Sequence, residues 1–147
     1  MTKGRWSVGI ILVLAASLLF GSLACRAAGA GDGDAFPAFW QGFRAAALQG
    51  DDDKLAPMIA VPFIVEDTTD AQARLDEVAA VLELMPALLE QDVGLSAEPE
   101  SMRHYIERQG EATDAMLEPG GERARIGQFL FERTGDRWMF VGAYLEQ

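Results

Sequence analysis

The last eleven residues constrain the fold most. "RWMFVGAYLEQ" alternates so that Trp138, Phe140, Gly142 and Tyr144 fall on one side of a strand and Met139, Val141, Ala143 and Leu145 on the other. Both sides are largely apolar. A strand wet on one face alternates polar with apolar residues, so this one belongs at the centre of a sheet or is covered on both sides. "RARIGQFLFERT" alternates ahead of it, "TGDR" supplies the turn between them, and "EPGG" marks a turn before both. The chain therefore ends in a β-hairpin.

Upstream, the hydrophobic period is helical. Phe36, Phe39, Trp40, Phe43 and Ala47 recur on one face, with Asp34 as N-cap, Pro37 in the first turn and Gly50 as the terminator. "DDDKLAPMIAV" reads as a short second helix capped by Asp51, with Asp52 and Asp53 at the positive end of its dipole. "VPFIV" (Val61–Val65) is a short strand, and its Pro62 predicts a sheet edge or a strand start. Thr69 and Gln72 make a capping box before "AQARLDEVAAVLELMPALLEQD", where Leu75, Val78, Ala79, Leu82 and Met85 form a stripe. Pro86 is expected to kink or divide that helix at Leu84–Met85. Ser96 or Glu98 opens a further helix with Met102, Tyr105 and Ile106 on one face, ending by Gly110. Helices first and a hairpin last predict an α+β fold, with N-terminal helices packed on a curved antiparallel sheet.

The first 24 residues have a different character. "MTKGRW" is basic and "SVGIILVLAASLLFGSLA" is uncharged and apolar, the layout of an export signal. The run is marginal for a membrane span, which takes about 20 apolar residues, so an uncleaved anchor ranks third, behind two forms of cleavage. Two processing routes fit. "SLAC" resembles a bacterial lipobox, although Leu23 stands one place late, and would make Cys25 a lipid attachment point. Cleavage at a small-x-small site, after Ala24 or after Ala30, would instead release a soluble protein. Residues 25–34 read as a flexible Gly/Ala-rich tether, and residues 35–147 as a single domain. The expected location is the periplasm or cell envelope, with any contact to the membrane made through the N-terminal segment or a lipid on Cys25. A single cysteine excludes an intramolecular disulfide, so the domain depends on its core.

The chain carries a net charge of −11, and without residues 1–24, which hold Lys3 and Arg5 and no acid, 10 basic face 23 acidic residues. Nucleic-acid affinity comes from cationic neutralisation of phosphates, so a nucleic-acid partner is not expected, nor is docking on anionic headgroups.

Two stretches together resemble a known superfamily. "FPAFWQGFRAAALQGDDDKLAPMIAVPF" looks like the opening, and "FLFERTGDRWMFVGAYLE" like the closing hairpin, of small exported bacterial proteins of the nuclear-transport-factor-2-like superfamily. The resemblance covers about a third of the chain. It implies a cone-shaped domain with a curved sheet wrapped around helices, often dimeric, with a pocket at the wide end. The superfamily includes isomerases, cyclases, dehydratases and inactive binding domains. Its catalytic sets, an Asp base with a Tyr donor or a His–Asp pair, match no motif at any position here.

The candidate chemistry is correspondingly thin. His104 has Glu100 and Glu107 at helical spacing, a layout open to general acid–base work or to a surface ion pair. One histidine and one cysteine cannot build a zinc shell, and the acidic triplets lack calcium-loop spacing, so neither metal nor cofactor is expected. No nucleophile elbow, phosphate loop or dinucleotide fingerprint is present in the sequence. Trp40, Phe43, Arg44, His104, Tyr105, Trp138 and Tyr144 are the candidate pocket lining, with Arg44 placed to orient an anion or to pair with a surface acid. These features favour a noncatalytic binding or interaction domain that takes a small apolar ligand or an envelope protein, with homodimerisation implied by the resemblance. The alternative is an isomerase- or dehydratase-like enzyme using a buried carboxylate or His104.

Overall fold

The computed structural model describes residues 35–67, 69, 71–94, 98–112 and 116–145. Residues 1–34, with Cys25, the tether and Asp34, lie outside the described residues, as does Ser96. Helix α1 spans Phe36–Gln49, α2 spans Asp52–Leu55 and runs into a 3-10 turn at Ala56–Met58, and β1 spans Ile59–Asp67. Strand β2 (Gln72–Leu75), α3 (Val78–Glu90), α4 (Met102–Gln109), β3 (Arg123–Ile126), β4 (Phe129–Thr134) and β5 (Arg137–Leu145) follow. The five strands form one sheet in the order β2-β1-β5-β4-β3. The fold is α+β, with β5 in the middle of the sheet as its doubly apolar pattern requires. The sheet is mixed rather than antiparallel throughout, because β1 and β5 pair in parallel.

Local chemistry explains most element ends. Gly50, at φ 65°, turns the chain out of α1, and the Gly50 and Asp51 N–H groups return to Ala47 O and Ala46 O. The Asp51 carboxylate then accepts from Lys54 N and caps α2. The N-cap of α1 is Ala35, with no side-chain bond, and Pro37 occupies the first turn, where no N–H is missed. Ser101, not Ser96 or Glu98, caps α4 by accepting from His104 N at 3.3 Å.

Elsewhere tertiary structure overrides the local patterns. Thr69 and Gln72 do not cap a helix. Asp67 Oδ1 accepts from Thr69 N, Thr69 Oγ1 and Ala71 N, an Asx-type turn that folds β1 back on β2. Gln72 enters β2 and donates to Glu66 Oε1 at 2.8 Å. Leu75 therefore belongs to a strand, and α3 starts at Val78. Pro86 sits inside α3 without dividing it. Its ring is exposed, while Val81, Met85, Leu88 and Leu89 are buried on the opposite face. That burial outweighs the helix-breaking cost of about 3 kcal/mol.

The alternation in "RARIGQFLFERT" conceals a hairpin. Ile126 pairs with Phe129, so Gly127 and Gln128 form a two-residue loop. Gly127 has φ 57°, which favours glycine, and a Cβ there would also push on the Met102 thioether 2.7 Å away. Pro62 lies in an interior strand, not at an edge. The β1–β5 ladder jumps from Ile59↔Phe140 to Ile64↔Gly142, and Pro62 falls where the ladder is interrupted. On the other side of β5, Leu130 pairs with Gly142 and Phe131 with Phe140, leaving Val141 as a bulge. The bulge flips the later residues. Trp138, Phe140 and Ala143 face the core, and Tyr144 faces away, on the side opposite Trp138.

Helices α1 and α3 cover one face of the sheet, and α4 packs across both helices. Between α1 and the sheet lies a block of rings. Phe43 stands 5.1 Å from Phe131, 4.9 Å from Phe140 and 6.0 Å from Phe129, centroid to centroid, mostly edge-on or tilted. Trp40 and Phe43 have no exposed surface. The other face of the sheet carries no helix among the described residues.

Candidate functional site

Of the seven side chains proposed from sequence to line a pocket, six lie on the helical side of the molecule or within its core. Trp40 and Phe43 are core rings, and Trp40 Nε1 donates to Gly110 O at 3.0 Å. Trp138 is also buried, 4.8 Å from Phe36, and borders a small surface groove with Phe39, Pro57 and Met139. Tyr105 is half-buried, has Arg108 at 5.7 Å from its ring, and stands beside the Gly127 turn.

Arg44 does neither of the two things its sequence context suggested. Its Nε donates to Ile106 O and its Nη2 to Glu107 O, both at 2.6 Å. These carbonyls belong to the last turn of α4, which has no helical N–H to satisfy them and carries the negative end of the dipole. Arg44 thus ties α1 to the end of α4. Arg44→Ala is expected to cost about 1.5–3 kcal/mol, the range for a hydrogen bond to a charged group. A lower urea midpoint at unchanged m-value would show it, and unchanged stability would argue against this role.

His104 is 66% exposed on the solvent side of α4. Its Nε2 lies 3.7 Å from Glu100 and its Nδ1 3.9 Å from Glu107, so the expected spacing exists as a loose surface arrangement. Arg108 is the closer partner of Glu100, at 2.9 and 3.2 Å, and its guanidinium holds that carboxyl below its usual range.

Tyr144 is the exception. It lies on the outer face of the sheet and lines a trough of about 490 Å³ together with Val61, Ile64, Leu130, Val141 and Glu66. The register explains the trough. One cross-strand row reads Arg74, Ile64, Gly142, Leu130, Arg125 from one edge of the sheet to the other. Glycine in the centre leaves a floor without a side chain, and apolar residues stand on either side. The next row, Gln72, Glu66, Tyr144, is polar. Gln72 donates to Glu66, and Glu66 pairs with Tyr144 in the β1–β5 register. The Arg125 guanidinium lies 4.5 Å from the centre of the Tyr144 ring, within cation–π range. Burial, reinforced by the nearby Glu66 carboxylate, pushes the Tyr144 pKa up. Arg123 and Glu132 pair at 2.7 Å at the margin.

Glu66 and Arg125 were not among the residues singled out from sequence. Their importance depends on the parallel β1–β5 pairing and on the Val141 bulge, neither of which has a local sequence signal. Among the described residues no cluster of three His, Cys, Asp or Glu side chains could hold a metal ion, and no helix is long and apolar enough to cross a membrane. Neither a protein-family model nor a curated protein matches the chain.

Proposed function

We propose that this chain is an exported envelope protein whose domain is a noncatalytic interaction module, working through the outer face of its sheet. The observation that carries the reading is the filled interior. Where a cone-shaped relative would hold its ligand, between the aromatic helix and the sheet, Trp40 and Phe43 are packed to zero exposure against Phe129, Phe131 and Phe140. Gln128, which does not titrate, is the buried polar side chain among the described residues. The trough over Gly142 lies on the opposite face, and its mixed lining of aliphatic groups with the Arg123–Glu132 ion pair suits a protein surface better than a small apolar ligand, which needs enclosure. The aromatic α1 and the closing hairpin with its Gly135–Asp136 turn support a place in the nuclear-transport-factor-2-like superfamily. The basic and apolar layout of residues 1–24 supports export, with Cys25 as the lipid attachment point if the lipobox is used.

Photo-crosslinking in the intact cell envelope tests the surface. A crosslinker replacing Val61 or Leu130 is expected to form a protein adduct, while one replacing Glu83, exposed on α3, is expected not to. Adducts from Glu83 alone would sink the reading. Intact mass of the mature protein tests the processing: a diacylglyceryl group with an acyl chain on Cys25 supports lipidation, a new N-terminus at Cys25 or Gly31 without it supports release, and an unprocessed Met1 start overturns both in favour of an uncleaved anchor.

A further inference from the structure

We infer that one water molecule is bound inside the domain between Gln91 and Gln128, donating a hydrogen bond to the side-chain oxygen of each. The inference stands on the chain alone and does not depend on the interaction-module reading.

Gln91 ends α3, and Gln128 sits in the β3–β4 turn, where it is only 3% exposed. Each commits its amide nitrogen to a backbone carbonyl. Gln91 Nε2 donates to Tyr144 O and Gln128 Nε2 to Asp92 O, both at 2.8 Å. Those bonds fix which end of each amide is oxygen. Turning either amide over would set oxygen against carbonyl oxygen and strand the NH2 group. Both Oε1 atoms are buried and have no hydrogen-bond partner among the described residues. Folded interiors seldom leave a side-chain acceptor bare, and here two are bare.

The two oxygens belong to one circuit. Tyr144 N donates to Gln128 O at 2.9 Å, and Asp92 follows Gln91 in the chain. The path runs from the Gln91 side chain to the Tyr144 backbone, on to the Gln128 backbone, out along the Gln128 side chain to Asp92, and back to Gln91. The N–H groups around it are already spent. Tyr144 N goes to Gln128 O, Met102 N to Gln91 O, Val93 N to Glu100 O and Gly94 N to Asp92 Oδ1.

The occupant must therefore bring two donors and no net charge. A calcium ion takes about six to eight oxygens, carboxylates among them, and the Asp92 side chain is exposed and engaged with Gly94 N. A buried ammonium or guanidinium group would need a counter-charge. Water has two O–H groups, one for each oxygen. Proteins hold about one buried water per 27 residues, typically on polar groups that lack another partner. The water joins the exit of α3 to the β3–β4 turn and the end of β5. Tyr144 is bonded into the circuit through both its N–H and its C=O, so the hydration site also holds the backbone from which the outer-face tyrosine projects.

Water-selective NOE and ROE spectra of the 15N-labelled full chain test the inference. The side-chain NH2 protons of Gln91 and Gln128 are both expected to show cross-peaks to water. The signs should be opposite in the two spectra, as a long-held water gives and proton exchange does not. Gln128→Met keeps the length of the side chain and removes its oxygen, and is expected to erase the cross-peak at Gln91. Gln91→Met is expected to erase the one at Gln128. Absence of the cross-peaks in the parent overturns the inference whether or not the variants fold. Contacts from both amides to an N–H of the chain in place of water, or water cross-peaks that survive in both variants, overturn it as well.

Discussion

Phe43→Ala is expected to lower the stability of the domain by about 3–5 kcal/mol, the usual cost of removing a fully buried aromatic ring. The ring sits at the centre of the aromatic block. It faces Phe39 and Trp40 on its own helix at 6.1 and 6.2 Å, and Phe129, Phe131 and Phe140 on two neighbouring strands. Alanine removes its dispersion contacts with five rings, and the strands cannot close the gap without breaking the β4–β5 ladder. Domains of this size hold roughly 5–15 kcal/mol in total, so the variant will be close to unfolded at moderate temperature. Urea denaturation at constant m-value measures the loss, and Phe43→Leu, which keeps more of the volume, is expected to lose less. A cost below about 1 kcal/mol for alanine would mean that the interior is hydrated rather than packed, and the noncatalytic reading would lose its main support.

Gly142→Ala is the second large effect, and its cause is different. A Cβ on Gly142 would stand 2.6 Å from the carbonyl oxygen of Ile64. That oxygen is backbone of the strand paired with β5, so relief requires moving β1 away from β5, not rotating a side chain. The expected cost is at least about 1–3 kcal/mol, the overpacking range, and more for Gly142→Val. A second glycine provides the control. Gly42 lies in the middle of α1, where a Cβ would meet only the tip of Met58 at 3.5 Å, an ordinary contact. Gly42→Ala should therefore raise stability by about 0.5–1 kcal/mol through helix propensity. Thermal midpoints of the two variants should move in opposite directions, and equal shifts would remove the steric explanation for Gly142.

What could be read from sequence follows from the range of the interactions involved. The aromatic period of α1, the Gly50 terminator, the Asp51 cap and the Gly135–Asp136 turn are set by residues within a few positions of one another. The central place of β5 was legible because apolar residues on both sides of a single strand are written in consecutive positions. The reading lost its hold where a distant partner decides. Thr69 and Gln72 form a sound capping box in isolation, but Asp67 and Glu66 take their side chains into a hairpin. Arg44 looked like an anion site because sequence displays side chains, whereas its acceptors are the peptide carbonyls of Ile106 and Glu107. The candidate surface was the least legible part. A bulge at one residue, Val141, moves Tyr144 from the aromatic side to the open side, and the pairing of Glu66 with Tyr144 joins strands that are far apart in the chain. One local signal for the β3–β4 hairpin does exist: "GQ" between "ARI" and "FLF", a glycine-first pair of the kind that closes two-residue hairpins.

The parallel pairing of β1 with β5 also sets the order in which the molecule can be completed. The ribbon of β1 and β2 and the ribbon of β3 and β4 share no ladder with each other, and each waits for the same strand to join them. That strand is Arg137–Leu145, and without it the rings of α1 keep only the Phe129 and Phe131 half of their floor. Closure therefore depends on contacts of long sequence separation, which slows folding. One strand acts as the keystone of the sheet: when it loosens, both ribbons come free together.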